Sequence, residues 1–166
     1  MITSILNLFN ACIDGELIRF TEGGQTHWAI IGIRNHERLM LLVLPLNSPP
    51  YCENILGAMD VLRPPYEAAP LLSYGNDYSI HINHAGYCDV GGRGTLIRAP
   101  GSYVITERDR YICCNDRVTS KIAYFDLESG AVGGEPGGLR AIFAEWELAL
   151  RDEQPKTLLR VQASNP

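Results

Sequence analysis

The chain has 166 residues, 46% of them apolar and 20% charged, with 14 basic residues against 19 acidic ones and a formal net charge of −5. That length suits one domain with a substantial core, and the composition excludes a largely disordered chain. The acidic balance, with basic residues spread singly, argues against nucleic acid as the main partner, because phosphate binding needs a clustered basic face.

Ile2, Ile5, Leu6, Phe9, Cys12 and Ile13 recur at helical spacing until Asp14-Gly15, which predicts an amphipathic N-terminal helix. Met1 to Asn10 has neither a basic start nor a small-residue cleavage site, so it does not read as a secretory leader. Three segments rich in aliphatic and aromatic residues follow: Glu16 to Thr21, Thr26 to Arg34 and Arg38 to Leu46. Glu22-Gly-Gly-Gln25 and Asn35-His-Glu37 part them, which predicts a three-strand meander. The third segment is apolar on both faces, as a central strand with a layer on each side would be. Its apolar run is broken by Pro45 and is too short to span a bilayer.

Ser48-Pro49-Pro50 has the form of a helix start, and Cys52, Ile55, Leu56, Met59 and Leu62 then share one helical face. The proline-rich connector 63–70 ends that helix. Strand signals return at Tyr78 to Asn83, Thr95 to Ala99, Ser102 to Glu107, Tyr111 to Asn115 and Lys121 to Leu127, with turns at Pro100-Gly101, Asp109 and Ser129-Gly130. Gly133 to Gly138 is a loop. Leu139, Ile142, Phe143, Trp146 and Leu150 fit a helix, which the glutamates and alanines between them favour. Ile142, Ala144, Trp146, Leu148 and Leu150 also alternate as a strand would. Thr157 to Val161 is a last strand, and residues 163–166 form a frayed tail. The sum is a single α+β domain over residues 1–166, an antiparallel meander sheet with packed helices.

The five cysteines, Cys12, Cys52, Cys88, Cys113 and Cys114, are odd in number and irregularly spaced. They read as free, mostly buried thiols in a reducing compartment, which places the chain in the cytoplasm. On a strand, Cys113 and Cys114 point to opposite faces, one to the core and one to the surface.

The densest group of reactive side chains is Tyr78-Ser-Ile-His-Ile-Asn-His-Ala-Gly-Tyr-Cys-Asp89. His81, His84 and Cys88 are good ligand types for zinc, with Asp89 or Cys113 to complete a set. Cys88 beside two histidines also has the residue types of a thiol–imidazole pair. Both readings need the chain to turn near Asn83, since residues three apart on a strand face opposite ways. The plainer reading is a strand end with one buried and one exposed histidine and an inert Cys88, with no metal and no cofactor. Gly91-Gly-Arg-Gly-Thr95 lacks the lysine of a phosphate loop and reads as a hairpin loop. Tyr74, Tyr78 and Tyr87, with Asp89 and Arg93, have instead the composition of a protein-binding surface. The alternative for these tyrosines is to cap the core with their hydroxyls at the rim.

Arg110-Tyr-Ile-Cys-Cys-Asn-Asp116, Lys121-Ile-Ala-Tyr-Phe-Asp-Leu-Glu-Ser-Gly-Ala-Val132 and Phe143-Ala-Glu-Trp-Glu-Leu-Ala-Leu150 resemble the C-terminal part of SUKH-type immunity proteins. That resemblance covers about the last third of the chain. It implies an α+β fold that binds and neutralises a toxin without catalysis, and it carries over no site residues. The leading expectation is therefore a non-enzymatic protein-binding module, in its specific form an immunity-type inhibitor of a partner toxin, acting on neither nucleic acid nor membrane. The alternatives are a small enzyme or metal protein built on His81, His84 and Cys88, and a structural subunit of a phage or secretion system that self-assembles through a sheet edge.

Overall fold

The computed structural model describes residues 4–22, 24–43, 60–64, 70–82, 88–91, 100–137, 140–143 and 145–162. The meander is present as β2 (Leu17–Glu22), β3 (Gln25–Arg34) and β4 (Glu37–Val43), paired antiparallel in order. Asn35 and His36 connect β3 to β4 with φ of 49° and 64°. Positive φ at both positions makes a two-residue hairpin turn whose twist matches the strands, and asparagine tolerates it well. Leu39, Leu41 and Val43 of β4 enter one core, and Met40 and Leu42 enter another on the opposite face. The strand read as apolar on both faces is indeed covered on both.

The meander continues outward through β6 (Pro70–Ser73) to β1 (Ile5–Leu8) on one side and through β5 (Asp60–Leu62) on the other. β5 lies antiparallel to β4 and parallel to the end of β10 (Arg110–Asp116), which joins the two halves of one large sheet. Beyond β10 come β9 (Tyr103–Thr106), β13 (Arg140–Phe143) and β8 (Cys88–Gly91). β11 (Lys121–Asp126) runs along the other edge of β10 and carries β12 (Val132–Gly133). A second, three-stranded sheet has the order β15 (Lys156–Gln162), β14 (Glu145–Leu150), β7 (Tyr78–Ile82). The main core lies between the β2–β4 meander, the β10–β11 hairpin and this small sheet, filled by Trp28, Ile30, Leu41, Ile112, Phe125 and Trp146 among others.

The two sheets meet at a corner made by strands that change sheet. β8 pairs with β13 in the large sheet, and β7 pairs with β14 in the small one. The same two stretches of chain thus form an antiparallel ribbon in each sheet, and only residue 144 separates β13 from β14. Such bends let two sheets share strands at a corner.

The described residues contain no α-helix; the one helical element is a 3-10 turn at Phe9–Ala11. The α+β expectation is thereby corrected to an all-β fold. In the N-terminal segment Ile5 to Leu8 pair with Ser73 to Pro70, and long-range strand pairing overrides the local helical spacing. Ile5 and Leu6 are 65% and 73% exposed, so no helical stripe is buried there. Arg140–Phe143 and Glu145–Leu150 are the strands β13 and β14. Trp146, Leu148 and Leu150 face the core while Glu145 and Glu147 lie between them, a period of two. The helix expected at 48–62 falls largely outside the described residues, and its end, Asp60–Leu62, is β5. Cys113 and Cys114 are both buried, not one in and one out, because β10 has a core on each face.

Among the described residues no helix is long and apolar enough to cross a membrane.

Candidate binding cleft

The reactive patch falls only partly within the described residues. β7 carries His81, and β8 begins with Cys88, but the two strands belong to different sheets. The patch is therefore not one strand with its exit turn. His81 is exposed, opposite Glu147 of β14, and its Nε2 lies 3.0 Å from Ser79 Oγ. The register sets Cys88 opposite Phe143 and Asp89 opposite Ile142. His84, Tyr87 and Arg93 lie outside the described residues. Among the described residues no three His, Cys, Asp or Glu side chains gather as a metal site would require. The Ser79–His81 contact joins alternate residues of an edge strand. The carboxylate that could orient the imidazole, Glu147, instead accepts from Arg160 Nε at 2.6 Å.

Of the tyrosines expected to face a partner, Tyr74 and Tyr78 lie within the described residues, and both also pack within the fold. Tyr74 stacks against Trp28 with ring centroids 5.0 Å apart. Tyr78 packs on the main core, and its hydroxyl donates to Gly15 O at 2.9 Å. Tyr103 and Tyr124 are buried.

Where β7 passes the β9–β11 region, a cleft of about 260 Å³ opens, lined by Asn76, Tyr78, Arg110, Glu128 and Arg151, with Tyr103 at its base. Each lining group is held by local structure. Asn76 sits in the turn closed by Asp77 N–H on Tyr74 O at 3.2 Å. Arg151 follows β14, and its N–H donates to Asp77 O at 2.9 Å, extending the β7–β14 ladder by one step. Arg110 opens β10, and its carbonyl accepts from Leu127 N–H at 2.9 Å. Glu128 stands on a turn in which Asp126 Oδ1 accepts the N–H of Glu128 at 2.8 Å and of Ser129 at 3.2 Å. Tyr103 is 2% exposed and its ring lies tilted against Phe143 and Trp146, with centroids 6.4 and 6.0 Å away.

Burial sets the protonation of the phenols that line the cleft. Burial pushes the Tyr78 phenol up to about 12, with Arg151 opposing. Burial also raises Tyr103, against the attraction and hydrogen bond of Arg110. Both phenols are therefore neutral at ordinary pH and serve as hydrogen-bonding groups rather than bases. Two guanidiniums face one carboxylate across the cleft, so its lining is net positive on a chain that is net negative. Guanidinium forks of this kind match carboxylates and phosphates in shape as well as charge.

The sequence reading placed Tyr78 among the partner-binding residues but not Arg151, Glu128 or Asn76. No local pattern marks them, because strand register alone brings them together. No family model matches the chain, and no curated protein or solved structure matches it significantly.

Proposed function

We propose that this protein is a non-enzymatic binding module that holds a protein partner at the Arg110–Arg151 cleft. The presence of two guanidiniums, Arg110 and Arg151, in one cleft beside β7 carries this reading. It is supported by the direction of the thiol and phenol shifts in the described residues, all upward from burial, which withdraws thiolate and phenolate from chemistry. A toxin neutralised by occlusion, as by an immunity-type inhibitor, is the specific partner class. The test is capture of partners by cross-linking, then titration of the purified partner. The expected result is a stoichiometric complex that Arg151→Glu weakens by about tenfold or more, the scale of one charge-assisted contact. A complex indifferent to changes at Arg110 and Arg151, or turnover of the captured molecule, overturns the reading.

A second reading has its own observation. β1 ends the large sheet and exposes Ile5, Leu6 and Leu8, and Ile13 nearby is exposed as well. An apolar edge strand is a template for pairing with another copy, as in a self-assembling subunit. Native mass measurement would show an oligomer that Leu6→Lys dissociates; a monomer at all accessible concentrations rejects it.

A further inference from the structure

We propose that the cleft takes the C-terminal end of an extended polypeptide, added antiparallel to the open edge of β7, with its terminal carboxylate seated on Arg110 and Arg151. The inference rests on the binding reading above and specifies what the partner presents.

Among the described residues β7 pairs with one strand only, β14. The bond from Arg151 N–H to Asp77 O sets the phase of that ladder. In an antiparallel pair the residues that bond the partner strand alternate with residues that do not. Ser79 and His81 therefore turn their backbone groups toward β14, and Tyr78, Ile80 and Ile82 turn theirs to the opposite edge. Proline and lysine, the usual guards of an open edge, are absent from Tyr78-Ser-Ile-His-Ile82. The cleft runs along the first half of this edge, past Asn76, Tyr78, Ser79 and Ile80. A cleft beside an open strand edge suits an added strand, a recurring mode of peptide capture.

Direction follows from register. A strand added antiparallel to β7 ends, at its C-terminus, beside the start of β7. Arg151 lines the cleft at that end; its backbone continues β14, across β7 from the open edge and one ladder position beyond the Leu150–Tyr78 pair, with Asn76 in the adjoining turn. Arg110, which opens β10, lines the same cleft. The side chains of an added strand leave the sheet above and below, whereas its terminal carboxylate lies in line with the chain. The guanidiniums that line this end of the cleft would thus meet the terminus rather than a side chain.

The probe is a mixed-sequence array of short peptides made in two versions, one ending in a free carboxylate and one in an amide, exposed to the intact protein. The retained peptides should bind about tenfold more weakly as amides, the scale of one charge-assisted pair. Arg151→Gln should remove the difference between the two versions, and Arg151→Lys should restore part of it. N-methylation of alternate peptide amides should abolish retention, since it removes the ladder donors. Equal binding of both versions, or indifference to N-methylation, overturns the proposal. An array that retains nothing, while a captured folded partner still depends on Arg151, overturns the extended-segment inference and leaves the binding reading standing. Loss of both removes the binding reading as well.

Discussion

Arg34, the last residue of β3, donates from Nη1 to Asp116 Oδ2 at the end of β10, 82 positions further along the chain. Asp116 is 1% exposed and lies one residue from Asn115, which pairs with Asp60 of β5; Asp60 in turn forms an ion pair with Arg117, Oδ2 to Nε at 3.1 Å. The two acids and two arginines thus tie the meander to the second half of the large sheet. Burial alone would raise the Asp116 carboxyl. The hydrogen bonds from Arg34, the Thr119 hydroxyl and the N–H groups of Thr119 and Val118 outweigh it and hold the carboxyl below its ordinary range. A depressed carboxyl stabilises the fold at pH above its unfolded value, and that stability is lost as pH falls through the folded one. Stability should therefore decline in the acid carboxylate range. Asp116→Asn should abolish that part of the decline and cost about 3 kcal/mol at neutral pH, because Arg34 loses its partner. Urea midpoints measured down a pH series test this; parallel acid limbs for both proteins refute it.

Gly32 and Gly130 mark a contact between β3 and the turn after β11. A Cβ at Gly32 would collide with the Phe125 ring and stand 2.7 Å from Gly130 O. Gly130 has φ +73° and supplies the carbonyl that accepts Ile33 N–H at 2.8 Å. Gly32→Ala should cost about 1–3 kcal/mol by overpacking. Phe125→Leu in the same chain should recover part of that loss by opening space. Additive costs in the double-mutant cycle would show that the two residues are not in the contact described.

The elements that could be read from sequence were those whose local signals agree with their tertiary setting. One glycine pair in the sequence and Asn35-His36 part the strands of the meander, and the two-sided apolarity of β4 reflects two real cores. At 142–150 the signals conflict: glutamate and alanine favour helix, while Trp146, Leu148 and Leu150 keep a strand period. Pairing with β7 and β15 decides in favour of strand, and neither partner is local. β1 is likewise fixed by β6, far along the chain. The reactive patch was visible by residue type, yet the change of sheet between Ile82 and Cys88 has no sequence mark. Asn76, Arg110 and Arg151 were invisible as a group for the same reason.

Cys12, Cys113 and Cys114 are free and buried. Burial pushes the Cys113 thiol up to about 11, with a Tyr124 hydrogen bond opposing, and Cys114 rises well above its usual value. Burial and the neighbouring Glu16 raise Cys12 to about 12. Thiolate is the reactive form, so at neutral pH all three should resist iodoacetamide in the folded protein and label rapidly in denaturant. Mass mapping of the labelled sites tests this. Alkylation of Cys113 or Cys114 in native protein at the rate of a free thiol would contradict a two-sided core around β10.

Trp146 holds the corner between the sheets. It is 1% exposed, and its Nε1 donates to Gly101 O at 2.7 Å, just before β9 of the large sheet, while its own strand belongs to the small one. Trp146→Phe keeps an aromatic ring but removes the donor, leaving a buried carbonyl unpaired and a gap where the indole was. The cost should be about 2–4 kcal/mol. A residue that serves one sheet would loosen that sheet alone. Trp146 bonds one sheet and lies in the other, so hydrogen-exchange protection should fall together in β9 and β14, and in β7 with them. Loss of protection confined to the small sheet would leave the Gly101 bond without a part in joining the two sheets, whatever the total cost.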